Sequence, residues 1–193
     1  MNPIYQIDQN LFRTIHVDMQ RDWLDFLMVV LSDSGNGLVK FTVLVALCFV
    51  IRYRRHAVLA LCSGVASGLF AQVVKSLIER QRPTNFSYAR PITTYIEALM
   101  GQHAPIASNS FPSGHATSCF GIAVAVAWMT YKSDHAWIGW LVMAWAAAVS
   151  HSRVYVGVHF VSDVIGGAAL GSFIATVLYW IWKKRGWLPV SDH

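Results

Sequence analysis

Five apolar stretches, at about Leu38–Ile51, Ala57–Ile78, Pro112–Tyr131, Ala136–Ser150 and Val161–Trp182, dictate what this chain can become. A bilayer core takes roughly 20 helical residues to cross, and inside it each backbone N–H and C=O must be bonded within its own segment. The stretches therefore predict an all-α integral-membrane bundle of about five spans. Composition agrees: 55% of the 193 residues are hydrophobic and mean hydropathy is +0.43, more apolar than a soluble domain of this size. A single domain over residues 1–193 is expected. Ser63, Gly64, Ala66, Ser67 and Gly68 in the second span, and Gly166, Gly167 and Gly171 in the fifth, are small enough for helices to approach closely.

Ahead of the spans, residues 1–36 carry Asp8, Asp18, Asp22, Asp25 and Asp33 against Arg13 and Arg21. The apolar part of this segment, Trp23–Leu31, is too short to cross a bilayer and predicts an interfacial or re-entrant helix, stopped by Ser-Asp-Ser-Gly-Asn-Gly at 32–37. The start lacks a basic region followed by an apolar core, so no cleavable leader is expected. Lys40, near the start of the first span, is read as a snorkelling lysine. Cys48, Cys62 and Cys119 lie in apolar runs without metal-ligand spacing and read as small buried hydrophobes. Net charge is +5, yet no basic stripe with interleaved aromatics accompanies it, which argues against a nucleic-acid partner.

The chemistry collects at helix ends. Residues 152–163 read S-R-V-Y-V-G-V-H-F-V-S-D and place Arg153, His159 and Asp163 between two apolar segments, where ionisable groups are costly. A helix beginning near Val158 would put His159 and Asp163 one turn apart on one face. The carboxylate could then hold one imidazole nitrogen and leave the other free to attack. Arg153 offers a fork of donors for phosphate. Lys75 and Arg82, seven apart, share a helix face if the helix continues, and Pro83 takes the chain out of it. Pro112-Ser113-Gly114-His115 opens the third span, where first-turn N–H groups and the helix dipole form an anion cradle.

Each piece has a plain structural reading: a snorkelling lysine, a serine cap beside an interfacial histidine, a helix-end cation beside a core histidine. Together on one membrane face they describe a phosphate site. Lys75, Arg82 and Arg153 would neutralise charge, His159 held by Asp163 would attack phosphorus, and His115 would protonate the departing oxygen and then activate water. No D-D-x-x-D-like carboxylate cluster occurs, so a metal-independent site with no cofactor is expected.

K-x6-R-P, P-S-G-H and S-R-x5-H-x3-D, in this order, are similar to the three signatures of the type 2 phosphatidic acid phosphatase superfamily. That group includes membrane lipid phosphatases and soluble vanadate-dependent haloperoxidases. The matching positions are Lys75, Arg82, Pro83, Pro112, Ser113, Gly114, His115, Ser152, Arg153, His159 and Asp163. The resemblance implies a helical bundle with its site at the outer face, a phosphohistidine route and lipid phosphate substrates. The short five-span form resembles bacterial undecaprenyl-diphosphatases of the bacitracin-resistance type, which regenerate the cell-wall lipid carrier. The motifs leave a phosphatidylglycerophosphate or phosphatidate phosphatase open, and a transporter with a polar site is the reading from another class.

Orientation follows from cations. Arg52, Arg54, Arg55, Lys132, Lys183, Lys184 and Arg185 lie at one end, and Arg13, Arg21, Lys75, Arg80, Arg82, Arg90 and Arg153 at the other. With Lys75, Arg82 and Arg153 set aside for a ligand, the basic clusters in short loops mark the cytoplasmic side, and the site faces outward in a bacterial cell membrane.

Overall fold

Long apolar segments with small residues on one face have one way to pack in lipid: small faces together, large side chains outward. The computed structural model describes residues 3–86, 89, 92–95, 98 and 109–188, and all regular structure among them is helical. Helix α1 (Pro3–Arg13) runs into a π-helical turn (Thr14–Asp18); α2 (Asp22–Ser34) is followed by α3 (Gly37–Cys48). A 3-10 turn (Ile51–Tyr53) leads into α4 (Arg54–Leu77), and α5 (Gly114–Thr130), α6 (Ala136–Tyr155) and α7 (Val161–Lys184) complete the bundle.

The packing axis is α5, which touches α4, α6 and α7 along its length. Ala116, Thr117, Cys119, Ala123 and Ala125 are fully buried on it. A Cβ at Gly171 of α7 would stand 2.0 Å from the Thr117 carbonyl oxygen, and one at Gly121 would stand 2.3 Å from Ser67 Oγ of α4. At both crossings an alanine would push the helices apart. The large side chains point away from this axis: Leu69, Phe70, Trp140, Leu141, Ile165 and Phe173 are exposed, as a lipid-facing surface requires.

By length and hydropathy, Ile51–Leu77 and Val161–Lys184 each suffice to cross a membrane, while α2 and α3 do so only as a pair, bent by 53°. This corrects the expected span at 38–51, because the 12 residues of α3 rise only about 18 Å. The expected short helix Trp23–Leu31 and that span thus form one broken unit. Gly35 ends α2, and Asn36 caps α3 by accepting from the Leu38 N–H at 3.0 Å. The remaining element is α1, which the sequence did not announce; its Phe12 is fully buried among Ala116, Val154, Phe160 and Val164. Lys40 does not snorkel: its ammonium is buried and donates to the Gly35 carbonyl at 2.7 Å and to Ser118 Oγ at 2.6 Å. All three cysteines are free, but only Cys119 is buried; Cys62 is exposed.

Candidate active site

The site is built where α6 ends and α7 begins. Helix α6 continues through Tyr155, so Ser152 and Arg153 occupy its last turn, both buried. The chain then turns at Gly157, whose φ of +87° suits glycine and where a Cβ would meet the His16 ring at 2.7 Å. Helix α7 starts at Val161 rather than near Val158, which corrects the expected helical adjacency of His159 and Asp163. His159 lies ahead of the helix, yet its Nδ1 still comes within 3.5 Å of Asp163 Oδ2.

Asp163 is completely buried and saturated with donors. Its Oδ2 accepts from the Phe160 N–H at 2.8 Å and from the Ser110 hydroxyl, and its Oδ1 accepts from Arg80 Nη1 at 2.6 Å. Ser110 Oγ is also 3.4 Å from His159 Nδ1, so hydroxyl, carboxylate and imidazole form one cluster. Asp163 therefore both closes the first turn of α7 and faces His159. Burial drives the His159 pKa down to about 3, with Arg82 and Arg153 adding to the effect and Asp163 opposing it. A neutral ring with one nitrogen turned toward Asp163 keeps a lone pair on the other.

Arg82 does not share a helix face with Lys75, because α4 stops at Leu77. It comes in on the extended segment before the 3-10 turn Pro83–Asn85 and donates to the Val158 carbonyl at 3.1 Å, one residue from His159. Lys75 remains in the last turn of α4, half-buried, and its carbonyl accepts from Asn109 Nδ2 at 2.7 Å. Lys75 is within electrostatic reach of Arg82, Arg153 and Asp163. His115, in turn, is within reach of Arg153, Lys40, His159 and Lys75. Residues scattered from Lys75 to Asp163 thus converge at one end of the bundle.

The second signature, Pro112-Ser113-Gly114-His115, sits at the start of α5. Ser113 is its N-cap, and the Ser113 N–H donates to the Asp163 carbonyl at 3.0 Å, tying α5 to α7. That bond removes one N–H from the expected anion cradle. The first-turn N–H groups of Gly114 and His115 remain, and a Cβ at Gly114 would meet nothing within 4 Å. The open space belongs to a cleft of about 380 Å³ lined by Lys40, Phe41, Leu69, Gly114, His115 and Ser118. Among the described residues no three His, Cys, Asp or Glu side chains are grouped as metal ligands. The long polar connection between the second and third apolar stretches, 84–111, lies largely outside the described residues, as does Arg90.

Several neighbours escaped the sequence. Arg80 bridges Asp163 and Asp8, bonds Ser162 Oγ, and lies 4.7 Å from the Phe160 ring centre. Asp8 also accepts from the Ser162 N–H at 3.0 Å, so α1 is clamped to the start of α7. Arg153 Nη1 donates to Ser32 Oγ on α2. The hydroxyl of Tyr155 donates to Asp25 at 2.6 Å, and His16 Nδ1 is 2.6 Å from the Tyr155 carbonyl. Ser110 and Arg80 carried a weak signal, each within a few residues of a signature. Asp8 and Ser32 carried only the acidic, polar character of their segment.

A sequence profile described as the PAP2 superfamily matches residues 56–187. Among relatives, the chain is 34% identical over 165 residues to an undecaprenyl-diphosphatase of Sulfolobus acidocaldarius, covering 86% of this chain and 73% of that one. It is 29% identical over 140 residues to a lipid A 4'-phosphatase of Bacteroides thetaiotaomicron, covering 72% of this chain but only 56% of that protein's length. A crystal structure of a transmembrane PAP2-type phosphatidylglycerolphosphate phosphatase from Bacillus subtilis superposes with a TM-score of 0.74 at 25% identity, over 95% of this chain and 88% of that one.

Proposed function

The chain belongs to the PAP2 superfamily and is a membrane lipid phosphatase, and from that premise we propose that it hydrolyses undecaprenyl diphosphate to undecaprenyl phosphate and inorganic phosphate, on the outer face of a bacterial cell membrane. His159 attacks the terminal phosphorus with its unprotonated nitrogen. The bond from that phosphorus to the bridging oxygen breaks, and His115 gives its proton to that oxygen as the lipid monophosphate leaves. Water then attacks the phosphohistidine, His115 takes the water's proton, and the P–N bond breaks to release phosphate. Asp163 holds the His159 ring through this cycle. Lys75, Arg82 and Arg153, with the N–H groups of Gly114 and His115, neutralise the equatorial oxygens of the transferred group.

The observation that carries this reading is the charge balance. Among the described residues of the site, Lys40, Lys75, Arg80, Arg82 and Arg153 stand against Asp8 and Asp163. Arg80 is occupied by both carboxylates, so an excess of positive charge suits a diphosphate. The 34% identity to an archaeal undecaprenyl-diphosphatase supports the same choice. A second reading, hydrolysis of a phosphate monoester lipid such as phosphatidylglycerophosphate, is supported by the fold likeness to the Bacillus enzyme.

Phosphate release by the purified protein from undecaprenyl diphosphate, phosphatidylglycerophosphate, phosphatidate and lipid A separates these readings. The highest kcat/KM is expected on undecaprenyl diphosphate. Turnover of a monoester with none of the diphosphate would reject the proposal.

A further inference from the structure

The site contains a cation that the three signatures do not account for. Lys40 stands on α3, just past the break that separates it from α2, and is 6% exposed. Its two close partners are neutral, the Gly35 carbonyl and Ser118 Oγ, with Cys119 Sγ a weak neighbour at 3.9 Å. Among the described residues no carboxylate pairs with it. A buried ammonium within a membrane bundle is costly unless an anion compensates it. An ammonium has three donors; here two meet oxygen acceptors, and the third has only the weak acceptor Cys119 Sγ at 3.9 Å and the Phe41 ring, whose centre is 5.3 Å away.

Its location says which anion. Lys40 lines the same cleft as Gly114 and His115, and the cleft continues along the apolar side chains of Phe41 and Leu69. His115 is the group that receives the leaving oxygen in the mechanism above, so the cleft on its side is where the leaving group lies. A phosphate monoester departs as an alcohol, which needs a proton and no counter-charge. A phosphoanhydride departs as a lipid monophosphate, which carries negative charge into that cleft.

Resting on the reading that the substrate is a diphosphate, we propose that Lys40 binds the lipid-proximal phosphate and makes the enzyme prefer phosphoanhydrides over phosphate monoesters. It is a specificity-determining residue on the leaving-group side, opposite the cations that hold the transferred phosphoryl group. Ser118, which also donates to the carbonyls of Gly114 and His115, holds the ammonium beside the start of α5.

The test is a ratio of activities. Lys40→Met should lower kcat/KM on farnesyl diphosphate roughly 10- to 100-fold more than on phosphatidate, the range set by losing a hydrogen bond to a charged group. Equal losses on the two substrates would overturn the proposal and leave Lys40 as a clasp across the α2–α3 break. An independent measurement needs no variant: inorganic pyrophosphate should compete at concentrations at least about tenfold below those of orthophosphate, and equal inhibition would overturn the proposal even if Lys40→Met fails to fold. If the wild-type protein cleaves monoesters alone, the diphosphate reading falls and this preference falls with it, whereas equal losses in Lys40→Met with the diphosphate still cleaved by the wild type overturn the role of Lys40 alone.

Discussion

The four-helix core α4–α7 and the N-terminal region α1–α3 serve the same site in opposite ways. The core carries all the signature residues, from Lys75 to Asp163, and the family profile covers it from residue 56 to 187. The N-terminal region carries none of them, yet it braces them from behind. Asp8 reaches Arg80 and Ser162, Ser32 holds Arg153, and His16 and Asp25 hold Tyr155. Of the first kind, Gly114 and His115 line the cleft, and with Lys75, Arg82, Arg153 and His159 they touch the phosphate in the proposed mechanism. Lys40 of α3, which lines the same cleft, is the exception on the N-terminal side. Those of the second kind fix where the first kind point. If this division is right, substitutions in the core should remove chemistry, whereas substitutions in the N-terminal region should degrade it by degrees.

The strongest blow to that division would come from His159. Replacing it with alanine is expected to lower kcat on undecaprenyl diphosphate by at least about 10⁴-fold, as losing a nucleophile does. Rapid quenching with labelled substrate should trap a phosphorylated wild-type protein and no phosphorylated variant. A variant with near-normal turnover would mean that the core stretch is structural. Asp163→Asn ranks next, with an expected loss of about 10²- to 10⁴-fold through ring orientation. Because Asp163 also closes the first turn of α7 and anchors Ser110, the comparison should be made on folded protein, with melting temperature measured alongside. Unchanged kcat in the asparagine variant would remove the orienting role.

Which core residues make up the candidate site was legible in the sequence because their signals are local. Arg82-Pro83, Ser113-Gly114-His115 and the 152–163 stretch each fit within a few turns of chain, and the turn chemistry around them is strong. Less visible was how those pieces are joined. Lys75 and Arg82 look like neighbours on one helix, yet α4 stops at Leu77 and Arg82 arrives by an extended route. His159 and Asp163 look helical, yet α7 begins at Val161 and the pair meets across its cap. The N-terminal contacts could not be read at all. Asp8 and Ser162 are 154 positions apart, and Ser32 and Arg153 are 121 apart, distances over which residue spacing carries no geometric information. The same blindness explains Lys40, whose neighbour Ser118 is 78 positions away.

A substitution at Asp8 sharpens the comparison at intermediate strength. Asp8→Asn keeps the shape but releases Arg80 from one of its two carboxylates, so Arg80 leans wholly on Asp163 and draws electron density from the group that orients His159. The expected result is a kcat about tenfold lower with KM little changed, consistent with a perturbed hydrogen bond to a charged group. Arg80→Met should give a loss of similar size, and the double variant should be no worse than Arg80→Met, since both act through one network. Additive losses would show that α1 contributes by another route.

Ser32→Ala is the gentlest probe and the most direct on α2. Its hydroxyl accepts from Arg153 Nη1 in a buried setting, so its removal should cost about 2 kcal/mol of stability, read as a lower melting temperature. Arg153 itself remains, so the transferred phosphoryl group still meets its guanidinium. The effect on turnover should therefore appear as a rise of roughly two- to fivefold in KM with kcat retained, the mark of a cation whose position is loosened and whose charge is kept. A fall in kcat comparable to that of Asp163→Asn would place Ser32 among the groups that act during the chemical step, and the line between a reacting core and a bracing N-terminal region would have to be redrawn through α2.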